Sequence, residues 1–189
     1  DLAIAYTIAG IPNDLALKLS GSLGLPVLAE TYLNAPQNSR AILRALRLRT
    51  LGVSLVLYAG VMILAEPLIR ILYDSRYHDA GLYLVALSLS NAIAAVGQGY
   101  TAAILAIGRT PYYFVMMVAT ALLRIVGMLL GFYTNEIVGM LYGVSAANVA
   151  ITICIWIVAH KFKIWDVKLD ILFVISIAFF WILSVYTWY

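Results

Sequence analysis

Arg124 is the residue whose position most needs a chemical explanation. It interrupts the apolar stretch ATALLRIVGMLLGFY, residues 119–133, which is otherwise suited to crossing a bilayer. A charge at the bilayer centre costs at least about 2.5–3.5 kcal/mol on insertion scales, so such residues normally face a bundle interior or a watery cavity. The sequence leaves two roles open. Arg124 is either a cavity cation for an anionic substrate or a cation bonded to carbonyls or a carboxylate that locks helices together.

Helical spacing predicts where Arg124 points. At about 100° per residue, the residues on its face carry small, polar or methionine side chains: Met117, Thr120, Gly127, Met128 and Gly131. The opposite face is aliphatic: Val115, Val118, Leu122, Ile125, Val126 and Leu129. We therefore expect the aliphatic face to contact lipid and the arginine to point inward.

Other polar residues lie inside apolar runs. One stripe of residues 80–107 contains Ser88, Asn91, Ala95, Gln98 and Ala102. Asn91 and Gln98 are suited to bonding another helix or to lining a hydrated path. Asp14 and Lys18, at i and i+4, can pair on one helix face or line a broken, hydrated helix near a proline and two glycines. Tyr100 lies deeper than most aromatic residues and is a candidate ligand contact, with packing as the alternative.

Residues for enzymatic or metal chemistry are sparse. Cys154 is the only cysteine, which excludes an internal disulfide or a thiolate cluster, and its apolar surroundings predict a packing role. His78 and His160 each lack a second histidine at metal-ligand spacing. Asp74, His78 and Asp79 are typical of a short turn rather than a catalytic site. We therefore expect no enzyme activity, no metal and no cofactor.

Composition places these residues in a membrane. The 189 residues are 64% hydrophobic and 11% charged, with a mean hydropathy of +0.97, against roughly 45–50% apolar and 25% charged in soluble domains. Runs near the 20 or so residues needed to cross a bilayer predict an all-α polytopic transmembrane bundle of about six spans. These are residues 2–32, which is the least regular, 51–73, 80–107, 114–133, 137–159 and 171–189. Both chain ends suggest a fragment of a longer protein.

Basic residues in the loops predict the orientation. Eight Lys or Arg residues fall in segments 34–50, 108–113 and 160–170, whereas segments 74–79 and 134–136 carry only Arg76. The first three should face the cytoplasm and the other two the outside. Nucleic acid is not an expected partner, because these cations lack interleaved stacking aromatics.

The cytoplasmic stretch SRAILRALRLRT has a pattern of its own. Arg40, Arg44 and Arg47 recur at helical spacing among apolar residues, as in a helix lying on an anionic lipid surface. The alternative is an ordinary positive-inside flank.

Four stretches carry a family resemblance. AYTIAGIPNDLALKLSGSLGLPVLAE resembles the segment that opens the second half of polysaccharide flippases, and AEPLIRILYDSRYHDAGLYLVALSLSNAI is similar to a hairpin of that family. TAAILAIGRTPYY and NEIVGMLYGVSAAN are similar to the end of the next span and to a short outer turn. The chain thus resembles the Wzx-like O-antigen and exopolysaccharide flippases of the multidrug/oligosaccharidyl-lipid/polysaccharide superfamily. Asp74 departs from that pattern, since the family often has glycine there.

The resemblance implies a MATE-type fold of two six-helix halves. Residues 1–170 would supply most of the second half, and residues 171–189 would supply an additional, truncated helix. The implied task is to move a polyprenyl-pyrophosphate oligosaccharide across the cytoplasmic membrane of a bacterium or archaeon by alternating access, in polysaccharide biosynthesis. The implied partners are this substrate, membrane lipids, the N-terminal half of the same transporter, and polysaccharide polymerase or chain-length machinery.

The resemblance also suggests roles for the polar residues inside the spans. Arg124, with Lys18 as a second cation, would attract the pyrophosphate or acidic sugars, while Asn91 and Gln98 solvate the sugar and Tyr100 contacts the ligand. Two alternatives remain open. A cation-coupled multidrug exporter of the same superfamily would place carboxylates in its cavity, and a non-transporting assembly subunit would need no hydrated stripe.

Overall fold

The chain is built almost entirely of helices. The computed structural model describes residues 2–21, 24–34, 38–73 and 79–188, and no β-strand occurs among them. The helices are α1 Leu2–Gly21, α2 Gly24–Asn34, α3 Ser39–Leu72, α4 Asp79–Ala106, α5 Thr110–Lys161 and α6 Val167–Trp188. Four of them are long and apolar enough to cross a membrane: Ser39–Leu72, Ala80–Ala106, Thr110–Lys161 and Val167–Tyr186. The prediction of an all-α membrane protein is confirmed at this level.

Helix α5 reverses direction halfway along its length. Its 52 residues would measure about 78 Å if straight, more than twice the thickness of a hydrocarbon core. Asn135 and Glu136 have non-helical backbone angles, with φ −157° and φ +44° respectively. They separate two arms, residues 110–134 and 137–161, of about 37 Å each. The short predicted loop at 134–136 therefore corresponds to a sharp reversal within α5.

Glycines hold the two arms of α5 close together. Gly127 and Gly131 on the first arm face Gly143 and Gly139 on the second, and a Cβ added to any of them would collide with a backbone carbonyl across the interface. Each pair follows a small-xxx-small spacing, which allows helix backbones to pack closely in lipid, where the hydrophobic effect gives helices little reason to associate. The arms are thus antiparallel and in direct contact.

Helix α4 forms the centre of the bundle. It contacts α1, α2, α3, α5 and α6. Side chains of α4 belong to all three clusters of buried apolar residues, including Leu84 near its start, Val96 in the middle and Ile104 near its end. Polar residues on α4 are therefore placed to bond several neighbouring helices.

Contacts bring the basic segments 34–50, 108–113 and 160–170 together at one end of the bundle. Nε of Arg44 in α3 lies 3.0 Å from Oδ2 of Asp166, which precedes α6. Ile164, in the connection between α5 and α6, packs in the same buried cluster as Leu43 and Ile104. We call this end of the bundle, where the start of α3 meets the connection between α5 and α6, the basic end. The opposite predicted loop contains Asp74, Arg76 and His78, which lie outside the described residues.

The outer surface of the helices is apolar. Large exposed side chains occur on α3, α5 and α6, among them Val56, Phe114, Leu130, Ile175 and Phe179. Cys154 is a free thiol on this exposed surface, and its predicted packing role stays a prediction. The second arm of α5 places it on a face that no described helix covers.

Candidate functional site

Arg124 takes part in a polar network that joins three helical segments. Its Nε donates a hydrogen bond to Oδ1 of Asn148 on the other arm of α5, at 3.0 Å. Nδ2 of Asn148 donates in turn to the carbonyl oxygen of Ser90 at 3.0 Å and to its Oγ at 2.8 Å, both on α4. Asn148 is only 2% exposed. The buried amide thus has both its oxygen and its nitrogen engaged, which fixes its orientation and positions the arginine.

The guanidinium of Arg124 is bonded on one side only. Within residues 2–21, 24–34, 38–73 and 79–188, its two Nη atoms make no hydrogen bond and no ion pair. The residue itself is exposed. An arginine held through Nε keeps the paired N–H groups that bind carboxylate or phosphate oxygens in a bidentate manner. The geometry therefore combines a helix-bonding contact with an uncommitted cationic fork.

The predicted inward face of Arg124 is only partly enclosed. Gly131 is buried against the second arm, whereas Met117 and Met128 are exposed. The aliphatic face, represented by Leu122 and Leu129, is exposed as expected for lipid contact. Arg124 therefore lies at the edge of the contact between the two arms rather than inside a closed bundle.

Asn91 and Gln98 bond to α1 on another side of α4. Nδ2 of Asn91 donates to the carbonyl oxygen of Ala9 at 3.1 Å, and Nε2 of Gln98 lies 3.5 Å from Oδ1 of Asn13. Pro12, which follows Ala9 and precedes Asn13 in α1, is buried. Proline lacks the N–H that would continue the helical bonding and distorts the turn before it. An amide side chain from α4 therefore bonds to a carbonyl in the turn that this proline perturbs.

The predicted substrate residues thus fall into separate places. Ser90 and its neighbour Asn91 point to different helices, so α4 lies between the Arg124 network and the α1 contacts. Gln98 and Lys18 are exposed, whereas Asn91 is half-buried. No hydrogen bond or ion pair within the described ranges links Arg124 directly to Asn91 or Gln98. A single compact pocket of these residues is not formed.

Tyr100 and Arg47 occupy a third site, which is closed to ligands. Tyr100 is 0% exposed and Arg47 is 2% exposed. Nη2 of Arg47 donates to Oδ1 of Asp170 at 2.7 Å and to the carbonyl oxygen of Val96 at 2.9 Å. The guanidinium carbon lies 3.6 Å from the centroid of the Tyr100 ring. Tyr100, predicted to contact a ligand, and Arg47, predicted to contact lipid, are both buried and engaged within this cluster.

Asp170 completes the cluster and was missed by sequence reasoning. It is fully buried and its Oδ2 accepts hydrogen bonds from the Tyr100 hydroxyl and from Nε1 of Trp165, each at 2.9 Å. The backbone N–H of Asp166 donates to the Tyr100 oxygen at 2.9 Å. Sequence reasoning assigned Asp170 to the polar segment 160–170. The sequence feature that could have indicated its burial is its position beside the apolar run of α6, one helical turn after Asp166.

The remaining arginines of the basic stretch differ from Arg47. Arg40 and Arg44 are exposed, which is compatible with the predicted contact with a lipid surface, although Arg44 also pairs with Asp166. Residues 39–50 are continuous with the membrane helix α3. They do not form a separate helix lying flat on the bilayer.

The described residues provide polar contacts and cations but no cluster of metal ligands. No group of three or more His, Cys, Asp or Glu side chains is close enough to hold a metal in the part of the chain that the structure describes. What the chain offers is a positioned cation at Arg124, exposed polar side chains near α1, and a buried ion pair that fastens α6 to α3 and α4. Comparisons with protein family models, with curated proteins and with solved structures find no match for this chain.

Proposed function

We propose that this chain is the second half of a membrane transporter that moves a lipid-linked oligosaccharide across the cytoplasmic membrane. The substrate class is a polyprenyl-pyrophosphate sugar, and the first half of the same transporter would complete the cavity. The observation that carries the proposal is Arg124. It is a permanent cation in an apolar helix arm, held through Nε by a buried asparagine, with its Nη groups unengaged among the described residues.

The helix arrangement supports a proposed topology of six crossings. The two arms of α5 count as two spans, and α3, α4 and α6 supply three more. In the proposed topology α1 and α2 together form a sixth, interrupted crossing. The cytoplasm would lie at the basic end, following the positive-inside rule. A substrate phosphate that reaches Arg124 would then leave water at that end.

The proposed role of Arg124 is to bind the pyrophosphate of the substrate. A pyrophosphate offers the charged oxygens that a guanidinium fork binds in pairs. Because Asn148 already bonds Nε, the fork loses little freedom when a ligand arrives. Gln98 and Lys18, both exposed near α1, remain candidates to contact the sugar and its acidic groups. Asn91 positions α1 in this scheme, and Tyr100 has no substrate role.

The exporter alternative has less support in this chain. A cation-coupled exporter needs a carboxylate that can exchange its partner, yet Asp170 is held by Arg47 and Glu66 lies 2.6 Å from Nη2 of Arg70. Asp14 and Glu30 are exposed and are the remaining candidate acids in the described parts of α1 and α2. A non-transporting assembly subunit is not favoured either, because Gln98 and Arg124 are exposed rather than closed off in dry helix contacts.

The test is complementation by the full-length parent in cells that lack their polysaccharide flippase. Surface polysaccharide is compared for wild type, Arg124→Ala, Arg124→Lys and the control Arg49→Ala at matched protein levels. Arg49 is an exposed cation of the basic end outside the network. We expect wild type and Arg49→Ala to restore the polysaccharide, Arg124→Ala to fail, and Arg124→Lys to restore it partly because it keeps charge without the fork. Full restoration by Arg124→Ala would refute the role of this cation.

A further inference from the structure

A pocket at the basic end collects cations from separate parts of the chain. It has a volume of about 390 Å³ and is lined by Arg40, His160, Lys161, Lys163 and Trp165. Arg40 comes from the start of α3, whereas the two lysines come from the end of α5 and the turn that follows it. None of these lining residues is acidic. Three permanent positive charges therefore face one hollow without a carboxylate in its wall.

The turn after α5 brings Lys163 into this pocket. The N–H of Lys163 donates to the carbonyl of His160 at 2.9 Å, and the N–H of Ile164 donates to that of Ala159 at 3.0 Å. These two bonds define a Schellman motif, in which the position occupied by Lys163 has a left-handed backbone and is usually glycine. Lys163 has φ +56°. A residue other than glycine costs about 1–2 kcal/mol in this left-handed conformation. Here that residue is Lys163, whose side chain lines the pocket.

Trp165 gives the pocket a rigid wall. Its Nε1 is fixed by the hydrogen bond to Asp170, its ring stacks on Trp156 with centroids 5.8 Å apart, and the ring of His160 meets it edge-on at 5.7 Å. Lys161 is also held, because its Nζ lies 2.9 Å from the Tyr112 hydroxyl. The shape of the pocket is thus built by side chains that are already engaged.

Helix-end electrostatics alone do not account for this arrangement. Cations are favoured near a helix C-terminus by the dipole, which explains Lys161 near the end of α5. Arg40 sits at the start of α3, where the dipole disfavours a cation. The dipole therefore does not explain why Arg40 lines the same pocket as the two lysines.

We propose that this pocket binds a phosphate group. The chemistry fits a phosphate ester with one or more anionic oxygens, and two sources can present it at a membrane end: a lipid headgroup or a soluble phosphate compound. Tryptophan is enriched at membrane–water interfaces, and Trp165 lies in the connection between the two apolar helices α5 and α6. The proposal requires only that the basic end faces water at the membrane surface, and it does not depend on the proposed transport function.

The test is a binding titration on the purified protein in a neutral detergent. The probes are short-chain phosphatidylglycerol, short-chain phosphatidylcholine, inorganic phosphate and pyrophosphate. In the pocket variant, Arg40, Lys161 and Lys163 are all changed to Gln. Exposed charge contacts change affinity by about two- to fivefold each, so we expect binding of phosphatidylglycerol to weaken about tenfold or more. The Lys163 side chain makes no hydrogen bond or ion pair with a described residue. Lys163→Gln alone should therefore weaken the binding of phosphatidylglycerol about two- to fivefold.

A matched control removes the same charge outside the pocket. Arg49, Arg109 and Lys168 are exposed cations of the basic end, and changing all three to Gln should weaken binding less than about threefold. If inorganic phosphate and pyrophosphate do not compete with phosphatidylglycerol, the ligand is a lipid headgroup. If they compete and lose affinity in the pocket variant, a soluble phosphate compound is also accepted. Equal losses in both triple variants, or no binding of any probe, would overturn the proposal.

Discussion

Removal of the Asp170 carboxylate should destabilise the protein strongly. Its partner Arg47 is 2% exposed and Asp170 is 0% exposed, with 2.7 Å between Nη2 and Oδ1. Breaking a buried pair by removing one member leaves an uncompensated charge and costs about 3–5 kcal/mol. Tyr100 and Trp165 would also lose their shared acceptor. We therefore expect Asp170→Ala to lower the free energy of unfolding by at least about 3–5 kcal/mol.

The loss can be measured as a shift in the thermal midpoint. A change of 1 kcal/mol shifts the midpoint by about 2–4 °C for a chain of this size, which gives a decrease of about 6–20 °C. Unfolding of the purified protein in a mild detergent would be followed by near-ultraviolet circular dichroism, which reports the packing of the buried tryptophans and tyrosines. The size and cooperativity of the transition are then compared among variants.

Two further variants make the prediction specific to a buried pair. Arg44→Ala removes the pair of Arg44 with Asp166, and because the Arg44 side chain is 62% exposed we expect a loss of at most about 1 kcal/mol. The double variant Arg47→Met with Asp170→Leu replaces both charges by apolar groups and should be more stable than Asp170→Ala, because the only remaining loss is the acceptor of Tyr100 and Trp165. Equal stability of Asp170→Ala and Arg44→Ala, or a double variant as unstable as Asp170→Ala, would show that the buried pair does not stabilise the protein as described.

Two other predictions concern the contacts made by α5. Asn148→Leu removes the acceptor of Arg124 and the donor to Ser90. We expect the free energy of unfolding to fall by about 1–3 kcal/mol, measured by the same unfolding transition. Unchanged stability would contradict this prediction. Gly139→Ala should destabilise the contact between the two arms of α5, because the added Cβ meets a backbone carbonyl. Gly60→Ala is the control, because the space around Gly60 is open. It should be neutral or stabilising by up to about 1 kcal/mol. Equal midpoints for the two glycine variants would show that the arms do not pack as described.

The sequence predicts local features of this protein better than its long-range pairings. The apolar runs correctly placed α3, α4 and the two arms of α5, because hydropathy and span length are local properties. Spacing around Arg124 also identified the glycine face that packs against the second arm. It could not identify Asn148 as the partner, since periodicity on one helix says nothing about which residue of another helix faces it.

The burial of Arg47 was not predicted, for a similar physical reason. Three arginines at helical spacing beside a membrane span resemble an interfacial helix, and nothing within residues 39–50 distinguishes the one that is buried. Asp170 lies 123 residues away along the chain, so local pattern cannot link the two. Arginine is a good helix former, and the helix therefore continues through the basic stretch into α3 instead of ending at the apolar boundary.

We propose that Arg124 contacts the phosphate of a lipid-linked oligosaccharide during translocation. The most direct measurement uses the full-length protein reconstituted in vesicles that contain a fluorescent polyprenyl-pyrophosphate oligosaccharide. Loss of fluorescence to a membrane-impermeant quencher reports its movement between leaflets. We predict translocation by wild type and by Arg49→Ala, and a decrease of about tenfold or more for Arg124→Ala, as expected when a charge-assisted contact of about 1.5–3 kcal/mol is lost. Equal rates for Arg124→Ala and wild type, or a wild-type rate no higher than in protein-free vesicles, would contradict the account.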